Sequence, residues 1–373
     1  MNTTSIICSF LRILPIKKKK ILFMCYYGEK YGCNPMYISE YMVQYRKDWD
    51  IVWAFTQPET HQNTKMRTVR YRSLRYFYEL STSQVIVTNY RMTSDFKKRK
   101  GQLYIQTWHS SLRLKMIEKD AEGTLPANYI EMAHKDSKQI DALLSGCEKS
   151  TEIFRRSFWY EGPIIPTGTP RMDLLINKDE VKRNLYKRKL GIAQNEKVLV
   201  YAPTFRKDNT LKYYDIDFQR LNDSLEKKWG GKWRIILRLH PHLVNLSRQI
   251  SEGNDYIIDA TDYDNIQELL LIADVVISDY SSLIFDFAFT LKPCILYVPD
   301  LEDYTRNDRG LYFDINALPF PKTMNNEELN QCIISFNTKE YLKDVETFMK
   351  EIGSYEDGHA CEKVVKYIEE AIR

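Results

Sequence analysis

Apolar residues in this chain come in short runs that end abruptly in polar clusters. The sharpest case is Ile272–Pro299. Ala273–Ile277 is an apolar run, interrupted only by Asp274, that stops at Ser278-Asp279-Tyr280-Ser281-Ser282. An apolar helical pattern follows, and a second apolar run occupies Cys294–Val298. The pattern predicts strand, polar turn, helix and strand, which is a βαβ unit of a parallel sheet. In the first half the same alternation predicts strands at Ile21–Tyr26, Asp50–Phe55, Val69–Tyr71, Val85–Thr88, Gln102–Trp108, Ala142–Ser145 and Ile164–Thr167, with helices at Pro35–Tyr45 and Ser73–Ser81. In the second half it predicts strands at Val198–Ala202, Trp233–Leu239 and Tyr256–Asp259, and helices at Phe218–Lys228 and Ile266–Ile272. Strands alternating with helices imply an α/β fold whose parallel sheets are covered on both faces.

A charged segment, Lys178–Lys189, closed by Gly191, divides the two alternations, and 373 residues suit two domains. The expected organisation is a terminal segment 1–20, a Rossmann-like domain 21–180, a second one 181–350, and a C-terminal helix within 351–373. Basic and acidic residues number 54 and 50, a balance that excludes a bulk nucleic-acid binder. Seven cysteines without paired spacing fit free thiols in a reducing cytoplasm. The apolar Ile6–Ile16 is too short to span a bilayer. Lys17-Lys18-Lys19-Lys20 follow it, the reverse of a secretory signal. Two readings stand: a segment for an anionic membrane surface, or a solvated flank of the first strand.

Ligands of such sheets bind at the C-terminal ends of strands, so polar outliers there are the candidates. Trp108-His109-Ser110-Ser111 directly follows a predicted strand. His109 there suits a general base, because imidazole titrates near neutral pH; the alternative is a histidine that caps a turn or packs on Trp108. Another strand ends in Arg238-Leu239-His240-Pro241-His242. Arg238 can reach a phosphate, and one histidine can face a ligand. No cysteine or carboxylate pattern completes a metal set around them. Tyr201-Ala202-Pro203-Thr204-Phe205-Arg206 offers a hydroxyl and, in Arg206, a partner for an anion. Ser281 and Ser282 open a helix whose free N–H groups suit phosphate, unless one of them is simply the N-cap. Asp286 lies one turn on and suits ribose hydroxyls. Asp303–Gly310 reads as a charged loop in which Arg306 or Arg309 can close over a diphosphate. Asp262 and Asp264 look like a carboxylate pair for a metal, but capping by Asp264 is the better reading.

Together these segments resemble the CDP-glycerol glycerophosphotransferases, the teichoic acid primases and polymerases of Gram-positive bacteria. The resemblance rests on Gln106-Thr107-Trp108-His109, Pro166–Asp173, Tyr201–Arg206, Arg238–His242, Ser278–Ser282 with Asp286, and Arg309-Gly310, in that order over about Tyr104–Phe313. It implies a GT-B fold, two Rossmann-like domains facing a central cleft with the nucleotide on the second. It further implies His109 as acceptor-side base, with His242 or His240, Ser281, Ser282 and Arg309 serving the cytidine diphosphate. Ser110 departs from the glycine that usually follows the family's Trp-His pair, and serine resists conformations that glycine permits.

The reading is a transferase, needing no metal or other cofactor, that moves glycerol phosphate from CDP-glycerol to a hydroxyl on a lipid-linked or polymeric acceptor and releases CMP. Its place is the cytoplasmic face of the cell membrane, held peripherally. CDP-ribitol is an alternative donor. A nucleotide-sugar glycosyltransferase shares the fold, and a catalytically silent membrane-binding protein is the reading outside enzymes.

Overall fold

Strands of a parallel sheet are buried on both faces, which is why they read as unbroken apolar runs. The computed structural model describes residues 10–61, 66–206, 211–307 and 310–373. It divides into two compact units. One holds the chain to Ser111, Ile117–Asp173 and Ser354–Arg373; the other holds Leu112–Met116 and Leu174–Gly353.

The first unit carries β1 (Lys17–Met24), β2 (Asp50–Phe55), β3 (Arg67–Arg70), β4 (Ser83–Thr88), β5 (Leu103–Gln106), β6 (Ala142–Leu144) and β7 (Ile164–Ile165). Their order is β3-β2-β1-β4-β5-β6-β7, all parallel. Leu22 at the centre lies opposite Val52 and Ile86, and all three are fully buried. The order reverses direction between β1 and β4, so the binding crevice of this sheet is expected at their C-terminal ends.

The lysine cluster is part of β1 rather than a flank before it. Lys17, Lys18 and Lys19 are exposed, but Lys20 is buried with its ammonium on the buried Glu79 carboxylate. Arg67 and Arg75 reach the same carboxylate at 2.9 and 2.7 Å. Burial raises the Glu79 carboxyl, but hydrogen bonds from Arg67 and Lys20 outweigh it and hold the group below its usual range. The helix Ala360–Ala371 belongs to this unit. Asp173 fastens its start by accepting the Ala360 and Cys361 N–H groups, both at 2.8 Å.

The second unit carries β8 (Lys197–Tyr201), β9 (Trp233–Leu237), β10 (Ile257–Asp259), β11 (Val275–Ser278), β12 (Cys294–Tyr297) and β13 (Lys322–Thr323), in the order β10-β9-β8-β11-β12-β13. Its switch point lies between β8 and β11. Helices Asn326–Ser335 and Thr338–Glu351, unassigned from the sequence, belong to this unit. Leu301–Asn307 is helical where a charged loop was expected, and Glu302 and Asp303 in its first turn suit the positive end of the helix dipole. Asn265, not Asp264, caps Ile266–Ile272 by accepting the Gln267 N–H at 3.2 Å. Among the described residues no helix is long and apolar enough to cross a membrane.

Candidate active site

In the first unit the residues after β1 and β4 meet at the switch point, where Asn89 Oδ1 accepts the Tyr26 N–H at 3.0 Å. The chain leaves β5 through Gln106, whose amide ties two loops together. Its Nε2 donates to Tyr90 O at 2.8 Å and its Oε1 accepts the Trp108 N–H at 3.0 Å. Trp108 sits in the left-handed region at φ 50°, and its indole meets Phe158 edge-on at 4.9 Å. The His109 ring stacks on Trp108 at 4.6 Å and lies 5.3 Å from the Tyr26 ring. Packing on Trp108 and partial exposure therefore coexist in His109. The left-handed residue of this loop is Trp108 and not Ser110, so serine at position 110 costs no backbone strain.

In the second unit the switch point is stitched by short polar side chains. Ser278 is fully buried and donates to Ala202 O at 2.7 Å. Asp279, also buried, accepts the Thr204 N–H at 2.8 Å and Arg206 Nη1 at 2.8 Å. Arg206 does pair with anions, but they belong to its own unit. Besides Asp279 it grips Asp300 with Nε at 2.6 Å and Nη2 at 3.1 Å, and it donates to Thr204 O at 2.5 Å. Tyr280 donates to Asp300 at 3.0 Å and stacks on Tyr304 at 3.6 Å, and both rings lie about the guanidinium. Burial works against the Arg206 charge, yet Asp279 and Asp300 raise its pKa above the ordinary value. The geometry makes Arg206 an internal strut where the sequence suggested an anion ligand. Asp300, its main partner, was missed, since a lone carboxylate after an apolar run carries no distinguishing signal.

His240 and His242 are both exposed and stack on each other at 4.8 Å. Phe205, from the loop after β8, lies 4.8 Å from His240 and 5.5 Å from His242. The second strand end thus presents three rings in one cluster. Arg238 turns away to donate to Thr261 O; burial lowers its pKa, while Asp262, Asp264 and Asp259 oppose that shift. Among the described residues no group of three or more His, Cys, Asp or Glu is placed to hold a metal ion. Ser282 precedes the helix Leu283–Ala288 without capping it, and its Oγ accepts the Leu114 N–H at 3.1 Å. Ser281 is half-buried, and among the described residues its Oγ is approached by the Leu283 N–H at a long 3.4 Å. Asp286, for which a ribose contact was expected, is fully buried and accepts Gln267 Nε2 at 2.7 Å. Arg309 lies outside the described residues, and so does the side chain of Arg306.

Two successive doubly wound parallel units define the GT-B class. The chain belongs to the CDP-glycerol:poly(glycerophosphate) glycerophosphotransferase family, whose profile matches residues 6–370. It is 32% identical to a teichoic acid poly(glycerol phosphate) polymerase of Bacillus spizizenii, over 97% of this chain and 95% of that one. It is 31% identical to a teichoic acid glycerol-phosphate transferase of Staphylococcus aureus, over 94% and 93%. A solved wall teichoic acid polymerase TagF, a His-to-Asn variant with CDPG, superposes with a TM-score of 0.87 at 28% identity, covering 99% of this chain and 94% of that one.

Proposed function

We propose that this chain transfers glycerol phosphate from CDP-glycerol to a hydroxyl of a lipid-linked or polymeric acceptor during synthesis of teichoic acid or a related cell-surface polymer. One observation carries the reading. Across a chain matched almost end to end by the family, the exposed or half-exposed histidines of the motifs follow the C-terminal ends of β5 and β9. Acceptor chemistry is assigned to the first unit. His109 takes the proton of the acceptor hydroxyl, and the oxygen attacks the phosphorus that bears glycerol. The bond from that phosphorus to the bridging oxygen breaks, and CMP leaves with that oxygen.

Donor binding is assigned to the second unit. His242, with His240, faces the negative charge of the leaving phosphate, and Ser281 and Arg309 add donors. Ser278, Asp279, Ser282, Asp286, Arg206 and Arg238 serve by holding these loops in place. Association with the inner membrane face draws support from Phe10, Ile13 and Leu14, all exposed beside the exposed Lys17, Lys18 and Lys19.

A donor series tests the reading. CDP-glycerol should raise the melting temperature more than CDP-ribitol or a uridine diphosphosugar, and only CDP-glycerol should support chain transfer. His242→Ala should weaken CDP-glycerol binding in calorimetry. Equal stabilisation by a uridine diphosphosugar would point to glycosyl transfer instead.

A further inference from the structure

The segment Thr107-Trp108-His109 turns three successive carbonyls toward one point, because Trp108 is left-handed at φ 50°. Converging carbonyl oxygens repel one another, and a left-handed bulky residue persists only where its surroundings impose it. One side chain reaches all three carbonyls, while Thr107 Oγ1 donates to Trp108 O at 3.1 Å and Cys33 Sγ to His109 O at 4.0 Å beside it. Asn34 Nδ2 lies 3.3 Å from Thr107 O, 3.1 Å from Trp108 O and 3.1 Å from His109 O. Its two protons are shared among three acceptors. The other end of the same amide is also used, since Asn34 Oδ1 accepts the Arg171 N–H at 3.1 Å. Asn34 is fully buried in the first turn of the helix Cys33–Tyr45, so the clamp is anchored on a rigid element.

We infer that Asn34 is a positioning residue for the proton-transfer step: its carboxamide fixes the His109 backbone so that the imidazole meets the acceptor hydroxyl. The inference rests on the reading of His109 as the base. The last carbonyl held is that of His109 itself, so the origin of its side chain is fixed while Trp108 and Tyr26 set the ring. Only a carboxamide meets the requirement here. A carboxylate at position 34 would keep the acceptor for Arg171 N–H but set an oxygen against three oxygens. A leucine would remove the donor shared by all three carbonyls, and a serine would bring a single hydroxyl proton on a shorter side chain. A displacement of about 1 Å at a reacting group lowers rate on the order of 10²-fold.

The test uses the full chain with CDP-glycerol and a soluble acceptor. Asn34→Asp, close in size to the native residue, and Asn34→Ser, as a second variant in case the first does not fold, are compared with His109→Ala and with each double variant. Both position-34 variants should lose on the order of 10²-fold in kcat. Calorimetric affinity for CDP-glycerol should stay within about twofold, because the donor is assigned to the other unit. On the His109→Ala background the same substitutions should cost less than about twofold more, since residues acting through one group are not additive. Full additivity on that background would overturn the inference, as would unchanged kcat in a folded Asn34 variant. If His109→Ala itself turns over normally, the base assignment fails and the inference falls with it.

Discussion

Arg206→Met distinguishes a strut from a ligand. The guanidinium makes four hydrogen bonds, one to Asp279, two to Asp300 and one to Thr204 O, and all three charged side chains are nearly inaccessible. Methionine fills much of the volume but strands two carboxylates. Breaking a buried ion pair by removing one partner costs about 3–5 kcal/mol, because the remaining charge stays desolvated. In a unit of this size about 2–4 °C is lost per kcal/mol, so the melting transition of the second unit should fall by about 6–20 °C. Scanning calorimetry reads this directly. Adding Asp279→Asn and Asp300→Asn to Arg206→Met should recover a large part of the loss, since the stranded charges are then gone. The reasoning is refuted if Arg206→Met melts within about 2 °C of the native chain and yet loses CDP-glycerol affinity. That outcome would make Arg206 a phosphate ligand after all.

Two further outcomes are expected. Glu79→Gln should destabilise the first unit by about 3–5 kcal/mol in urea unfolding, because Lys20 is then left buried beside a neutral amide; a loss under about 1 kcal/mol would show that Lys20 escapes to solvent. Deleting residues 1–16, which stops short of β1, should reduce sedimentation with anionic vesicles while sparing turnover of a soluble acceptor; unchanged sedimentation would remove the N-terminal segment from the membrane contact.

The strands after Asp50, before Ser278 and around Ile295 were legible because a parallel strand must be apolar on both faces, and only short unbroken runs satisfy that. Helix Ile266–Ile272 was likewise legible from its apolar pattern, though its cap was not, because Asp264 and Asn265 are equally good caps and only the chain's path chooses. The histidines of the candidate site could be found because they directly follow predicted strands, and strand ends are where parallel sheets bind ligands. What no local pattern carries is the partner of a charge. Arg206 finds Asp300 across 94 positions, Lys20 finds Glu79 on a neighbouring helix, and Asn34 meets the His109 loop from 73 to 75 positions away. An arginine bound for a phosphate and one bound for an internal carboxylate look alike in a one-dimensional string. Tertiary structure separates them, because packing decides which polar groups lose water and must be answered by the protein itself.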